Sequence, residues 1–255
     1  MEAPITSVKN DVIQLFHRLK SKKGRKEAGV YLIEGARLCE ECINRCADAV
    51  TMMLYSERMA ASPLLTLARE KGIPMRLCTD ACMDKACDSE QSQGIAMAVR
   101  LPDASADAPV GPTVALDAVA DPGNMGTILR TAWAFGVKDV YLGKGCVDVY
   151  SPKVVRSAMG AHFAVRIHMA EDLAAVLSEL KTMGYEVIGA HLKGESGSLK
   201  ENHKRCVVIG SEARGMSEEA ANACTRLYRI PMEGDAESLN AAVAAAILMD
   251  RSFHP

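Results

Sequence analysis

The sequence has no run of about eighteen apolar residues, the length a helix needs to cross a bilayer. Its start lacks the basic-then-apolar pattern of a secretory signal. Both absences argue against a membrane protein, and a cytoplasmic one is expected. No charge excess of either sign is present: 30 Lys and Arg against 32 Asp and Glu leave a net charge of −2, so overall charge announces no nucleic-acid partner. The fingerprints G-x-G-x-x-G and G-x-x-x-x-G-K-[ST] are both missing. That counts against a doubly wound nucleotide-binding enzyme, and no internal repeat or low-complexity tract suggests a solenoid. Nine cysteines occur, but Cys39, Cys42 and Cys46 recur at helical spacing, 39 and 46 on one face with Ile43 and Val50, and read as small core residues. Cys78, Cys82 and Cys87 have no paired two-residue spacing and no nearby histidine, so neither a metal nor a disulfide framework is expected.

What is present is uneven. The stretch His17 to Lys26, HRLKSKKGRK, holds six Lys or Arg in ten positions. It reads either as a solvated loop or as a patch in which Arg18, Lys20, Lys22, Lys23, Arg25 and Lys26 contact phosphates. Around it the periodicity predicts a small α/β unit: a helix over 8–19, strands over 30–33, 50–55, 75–78 and 95–101, and helices over 36–49 and 63–71. Residues 102–112, PDASADAPVGP, offer almost nothing to bury and read as a linker, giving domains at 1–101 and 113–255. Beyond the linker, strands and helices alternate to the end, which predicts a mostly parallel sheet with helices on both faces.

Three strand-end loops stand out. The first, 117–130, reads DAVADPGNMGTILR, with Asn124 and two glycines before a helix and Arg130 in its first or second turn. The second, 207–217, reads VVIGSEARGMS, with Gly210 ending a strand and Glu212 in the loop. The third leaves a strand at Ile230 and Met232, carries Ser238, expected to cap the final helix, with Leu239 and Asn240, and continues into an alanine-rich helix. The small alanines suit close packing, whereas the polar first turn suits holding a ligand or an anion. In a parallel sheet such loops meet at the carboxyl ends of the strands, where ligands bind.

LDAVADPGNMGTILRTAWAFG, GSEARGMS and IPMEGDAESLNAAVAAAI resemble the three ordered motifs of the SpoU (TrmH-type) RNA ribose 2'-O-methyltransferases, in the SPOUT superfamily. SKKGRKEAGVYLIEGARLCEE and SQGIAMAV resemble the RNA-binding domain, similar to ribosomal protein L30e, that precedes the catalytic domain in many members. The resemblance implies a C-terminal SPOUT domain with a deep trefoil knot, which periodicity alone does not suggest because chains rarely thread loops. It implies S-adenosylmethionine as cofactor, lined by Gly189, Ala190, Ile209, Gly210, Ile230, Met232, Ser238 and Leu239, and a homodimer with the active site near the interface. The matching catalytic positions are Asn124, Arg130, Glu212, Ser238 and Asn240. Arg130 would either accept the ribose proton after strong perturbation or hold the neighbouring phosphate bidentately; the second role is favoured, since arginine stays protonated to above about 12. Arg156, with Ser151 and Ser157, would contact RNA, and neither His162 nor His168 is expected to be catalytic. Ser211 departs from the asparagine frequent in the second motif. Ribosomal RNA of the 23S type is the expected substrate; transfer RNA, or a non-catalytic role as an RNA-binding assembly factor, are the alternatives.

Overall fold

The computed structural model describes residues 3–103, 107–199, 204–235 and 237–253. The chain divides into two compact units, Met1–Asp103 with Tyr150–Phe163 and Ala104–Val149 with Ala164–Pro255. Residues 150–163, expected with the C-terminal domain, therefore belong to the first unit.

In chain order the first unit holds α1 (Asp11–Arg18), α2 (Lys22–Ala28), β1 (Val30–Glu34), α3 (Ala36–Cys46), β2 (Val50–Ser56), α4 (Pro63–Glu70), β3 (Met75–Cys78), α5 (Asp80–Ala86) and β4 (Ile95–Arg100). The strands form one sheet in the order β1-β4-β2-β3, with β4 antiparallel to both neighbours and β2 parallel to β3. Alternate strand residues point to opposite faces, and here both faces are covered. Tyr31, Ile33, Met97 and Val99 join Cys39, Cys42, Ile43 and Leu65 in one layer, while Leu32, Ala96 and Ala98 join Ile13, Phe16 and Cys82 in the other. In α3 it is thus Cys39 and Cys42 that are fully buried, and Cys46 remains partly exposed.

Half of the basic stretch read as a loop, Lys22 to Lys26, is helix α2, and His17 and Arg18 close α1. Ser21 accepts a hydrogen bond from the Gly24 N–H at 3.1 Å, and Gly29 closes the helix in the left-handed conformation at φ 66°. Helix formation turns Arg25 inward: it is 3% exposed, with Nη1 donating to the Leu19 carbonyl at 2.6 Å. Helix α5 had no periodic signal strong enough to separate it from its surroundings.

The second unit runs β5 (Thr113–Asp117), α6 (Pro122–Ala134) and β6 (Asp139–Leu142). After α7 (Pro152–Ala158), which belongs to the first unit, come β7 (Arg166–Met169), α8 (Leu173–Thr182), β8 (Glu186–Glu195), β9 (Arg205–Gly210), α9 (Glu218–Ala223), β10 (Arg226–Tyr228) and α10 (Ala241–Phe253). Six strands pair in the order β10-β8-β9-β5-β6-β7, all parallel. Ala115, Val187, Cys206 and Val208 share a layer with Leu173, Leu177 and Leu180 of α8 and Ala220 and Ala223 of α9. By the same alternation Val114, Val207 and Ile209 serve the opposite face, where α10 packs on β9 and α6.

At the amino ends of β6 and β7 the fully buried Asp139 accepts hydrogen bonds from Arg166 Nε and Nη2, both at 2.8 Å, and lies 2.8 Å from His168 Nε2. His168 also stacks on Tyr141 with centroids 4.7 Å apart. His168 is thus committed to holding the sheet. Among the described residues no helix is long and apolar enough to cross a membrane.

Candidate active site

The three loops do converge. The first leaves β5 at Asp117 and enters α6 through Asp121, whose Oδ1 accepts the Asn124 N–H at 2.7 Å, with Pro122 at the first helical position. This start at Pro122 makes Asn124, read as lying before the helix, a first-turn residue. It also puts Arg130 eight residues into α6, in its third turn and about 12 Å along the axis at 1.5 Å per residue.

The second loop leaves β9 at Gly210 and folds back on itself. Ser211 and Gly215 exchange backbone hydrogen bonds of 2.9 Å each, and Ser211 Oγ accepts the Ala213 N–H at 3.3 Å. Serine therefore turns this loop where the family often has asparagine. Asp117 Oδ2 accepts the Ser217 N–H at 2.7 Å and ties the first strand end to the second loop.

The third loop ends on Asn240, not Ser238, as the cap of α10: Asn240 Oδ1 accepts the N–H groups of Ala242 at 2.9 Å and Val243 at 3.2 Å. The distinction is geometric, because a cap must sit just outside the first residue with helical dihedrals, and that residue is Ala241.

A relay of side chains joins the loops. Asn240 Nδ2 donates to Asn124 Oδ1 at 3.0 Å, Asn124 Nδ2 donates to Glu212 Oε1 at 2.8 Å, and the Ala120 N–H reaches Glu212 Oε2 at 3.4 Å. The chain fixes both amide orientations, since each asparagine must present oxygen to one partner and nitrogen to the other. What desolvation Glu212 suffers opposes its ionisation, but the hydrogen bonds from Asn124 and from loop N–H groups outweigh it and hold the carboxyl below its usual range.

Beside this relay lies a cavity of about 470 Å³. Ala190, Ile209, Gly210, Ile230, Met232, Ser238 and Leu239 line it, as does Glu212. Gly189 does not. A Cβ there would come within 2.6 Å of Met216 Cε and 2.8 Å of Cys224 Sγ, so this glycine serves packing beneath the sheet instead of a ligand. A Cβ at Gly210 would lie 2.2 Å from the Met216 nitrogen and 2.3 Å from the Gly215 carbonyl carbon, so the closed second loop rests directly on the glycine.

Sequence reasoning missed His191 and Lys193, which reach the cavity because β8 runs on to Glu195, and it also missed Arg214 and Tyr228. The alternation of AHLKGE carried that extension faintly. Ala241 and Ala244 form part of the cavity wall, while Ala242 and Ala245 are buried, so the alanine run divides between making room and packing.

The Arg130 side chain is exposed, does not line the cavity, and makes no hydrogen bond or ion pair to another described residue. Arg18, Lys22, Lys23 and Lys26 are exposed and Lys20 is half-buried. Arg25, turned into the unit, cannot meet a phosphate in this conformation. Arg156 is engaged within the first unit, 2.9 Å from Asp88 Oδ2 and 3.6 Å from the buried Glu34.

The dimensions and lining suit a small organic ligand: cavities of about 300–1,000 Å³ with a mostly apolar wall and a few placed polar groups are usual for such ligands. A parallel sheet with this cavity and relay at its strand ends defines a ligand-binding α/β domain. Residues 111–250 match the SpoU rRNA Methylase family and residues 10–97 the MRM3-like substrate binding domain. The chain is 32% identical over 247 residues to the 23S rRNA (guanosine(2553)-2'-O)-methyltransferase RlmP of Bacillus subtilis, covering 96% of this chain and 97% of that one. Its fold matches a TrmH-family protein from Porphyromonas gingivalis with a TM-score of 0.86 at 30% identity, covering 97% and 98% of the two chains. It also matches an AdoMet-bound rRNA methyltransferase from Sinorhizobium meliloti with a TM-score of 0.84 at 25% identity, covering 98% and 96%. The chain belongs to the SpoU rRNA methylase family.

Proposed function

We propose that this protein transfers a methyl group from S-adenosylmethionine to a ribose 2'-hydroxyl of ribosomal RNA of the 23S type, acting as a cytoplasmic homodimer. The observation that carries the reading is the cavity at the strand ends, walled by Ile209, Gly210, Ile230 and Leu239 and bordered by the Asn240–Asn124–Glu212 relay. The RNA class follows the Bacillus subtilis relative.

S-adenosylmethionine supplies a methyl group on a sulfonium sulfur. Ala190, Ile209, Gly210, Ile230, Met232, Ser238 and Leu239 would hold it, with Ala241 and Ala244 leaving the space. The relay keeps the loop of Glu212 and the start of α10 in one arrangement. Arg130 would grip the phosphate next to the target ribose and orient the hydroxyl. A guanidinium has no lone pair free to take a proton, so the ribose proton passes to a different acceptor.

The exposed face of α6 and α10, bearing Arg130 and the 47%-exposed Val243, is the surface a second copy would cover, bringing Arg130 to an active site near the interface. The deep trefoil knot belongs to the same reading. β10 lies at the sheet edge beside β8, yet the helix that follows packs on β9 and α6, so the chain must cross back over β8 to reach it. The first unit, L30e-like, would bind RNA through Arg18, Lys20, Lys22, Lys23 and Lys26.

The test is transfer of a labelled methyl group to ribosomal and transfer RNA from cells lacking this protein, followed by mapping of the ribose. Label on 23S-type RNA at a 2'-oxygen is the expected result. Label on transfer RNA alone would overturn the substrate assignment, and label on neither would overturn the activity.

A further inference from the structure

Helix α3 of the first unit ends in two thiols that the methyl-transfer reading does not use. Cys42 is fully buried, Cys46 is partly exposed, and their Sγ atoms are 3.6 Å apart. On a regular helix, side chains four residues apart keep their Cβ atoms about 5–6 Å apart, and a disulfide needs about 3.5–4.5 Å. A regular turn would therefore resist the bond. Cys46, however, has left helical geometry, with φ −149° and ψ 46°, and a short 3-10 turn, Ala47–Ala49, follows it. Closing the remaining gap of about 1–2 Å asks for a rearrangement only where the helix is already ending.

We propose that Cys42 and Cys46 are a modification site, a thiol pair that a hydroperoxide converts to a reversible intramolecular disulfide. The Cys46 sulfur attacks the peroxide, the O–O bond breaks, and a sulfenic acid forms with release of water or the corresponding alcohol. The Cys42 sulfur then attacks the sulfenic sulfur, loses its proton, and expels water. Two thiols and one hydroperoxide thus give one disulfide and two small oxygen products, with two electrons passing from sulfur to the O–O bond.

The division of roles follows from the surroundings. Cys46 is the more accessible thiol; the hydrogen bond from Cys42 lowers its pKa, opposed by burial and helped by the neighbouring Arg45. Cys42 is raised by that same hydrogen bond and by burial, which leaves the accessible Cys46 as the attacking sulfur. The pair sits where a change would be felt. Tyr31, Tyr150 and Phe163 join Cys42 and Cys46 in the same cluster, and a Cβ at Gly160 would lie only 3.0 Å from Glu41 Cγ on the same turn of α3. Rearranging this turn would loosen the seat of residues 158–163.

The full-length protein, treated with stoichiometric hydrogen peroxide and then alkylated, gives a direct answer by peptide mapping. Trypsin cuts after Arg37, Arg45 and Arg58, so the disulfide would join peptide 38–45 to peptide 46–58. The expected result is loss of two free thiols, that linked pair, restoration by dithiothreitol, and faster amide exchange at 158–163 in the oxidised form. Cys39 shares the first peptide, so the link should persist in Cys39→Ala and vanish in Cys46→Ser. If Cys39→Ala does not fold, fragmentation of the wild-type linked peptide between Glu40 and Glu41 assigns the bond instead. A link to Cys39, or oxidation of Cys46 to the sulfinic acid with no link, would overturn the proposal.

Discussion

Gly210 gives the sharpest test of the cavity. Adding one methyl group, Gly210→Ala, would place a Cβ 2.2 Å from the Met216 nitrogen and 2.6 Å from the Gly215 carbonyl oxygen. Ordinary contact begins near 3.4 Å, so the backbone at 215–216 must retreat by about 1 Å. Both clashing groups are main chain, and the loop is locked by the paired Ser211 and Gly215 hydrogen bonds, so no rotamer change can absorb the strain. Overpacking of this kind costs about 1–3 kcal/mol. If the displaced loop carries that cost into binding, affinity for S-adenosylmethionine falls about 10–100-fold at 1.4 kcal/mol per decade. Calorimetric titration measures the affinity and urea unfolding the stability, with Gly234→Ala as control because nothing lies within 4 Å of a Cβ there. Gly210→Val should abolish binding, and the proposed homodimer should persist. A Gly210→Ala protein that binds the cofactor within about twofold of wild type would refute the placement of this loop in the site.

Other expectations follow from the same geometry. Arg130→Ala, outside the cavity, should keep cofactor affinity while single-turnover methyl transfer drops by about 10²–10³, in the range of losses seen on removing one charge-stabilising donor; calorimetry showing that binding falls with activity would contradict this division. Asn240→Ala removes the cap of α10 and one end of the relay, and thermal unfolding should report a loss of about 0.5–2 kcal/mol. The depressed pKa of Glu212 means that its hydrogen bonds contribute stability above its unfolded pKa, lost as pH falls through the lower folded one. Asn124→Ala removes the first of the hydrogen bonds that lower that pKa, so the acid limb of the unfolding profile should flatten; an unchanged limb would remove Glu212 from the relay.

Legibility differed by residue. The three loops were readable because each pairs an apolar strand with punctuation by glycine, proline and small polar residues, and that pattern is local. Helix α2 carried its caps in plain view, Ser21 before it and Gly29 after it, but the density of charge suggested a loop, and the inward turn of Arg25 followed only once the helix was formed. Gly189 and Gly210 are alike on paper, each a glycine near the carboxyl end of an apolar strand. One abuts Met216, Cys224 and Leu227 below the sheet, and the other abuts the loop that borders the cavity. No local feature separates them.

By itself, the sequence determined the alternation of strands and helices, the motif loops and the family they mark, because periodicity, turn chemistry and motif order are properties of neighbouring residues. Tertiary structure alone decided which residue caps α10, that residues 150–163 pack with the first unit, and that Asn240, Asn124 and Glu212 join in a single relay. Those outcomes depend on groups 88 and 116 residues apart in the chain meeting at hydrogen-bonding distance. The pairing of β9 with β5 seats the first two loops side by side, and the packing of α10 on β9 and α6 brings Asn240 to them.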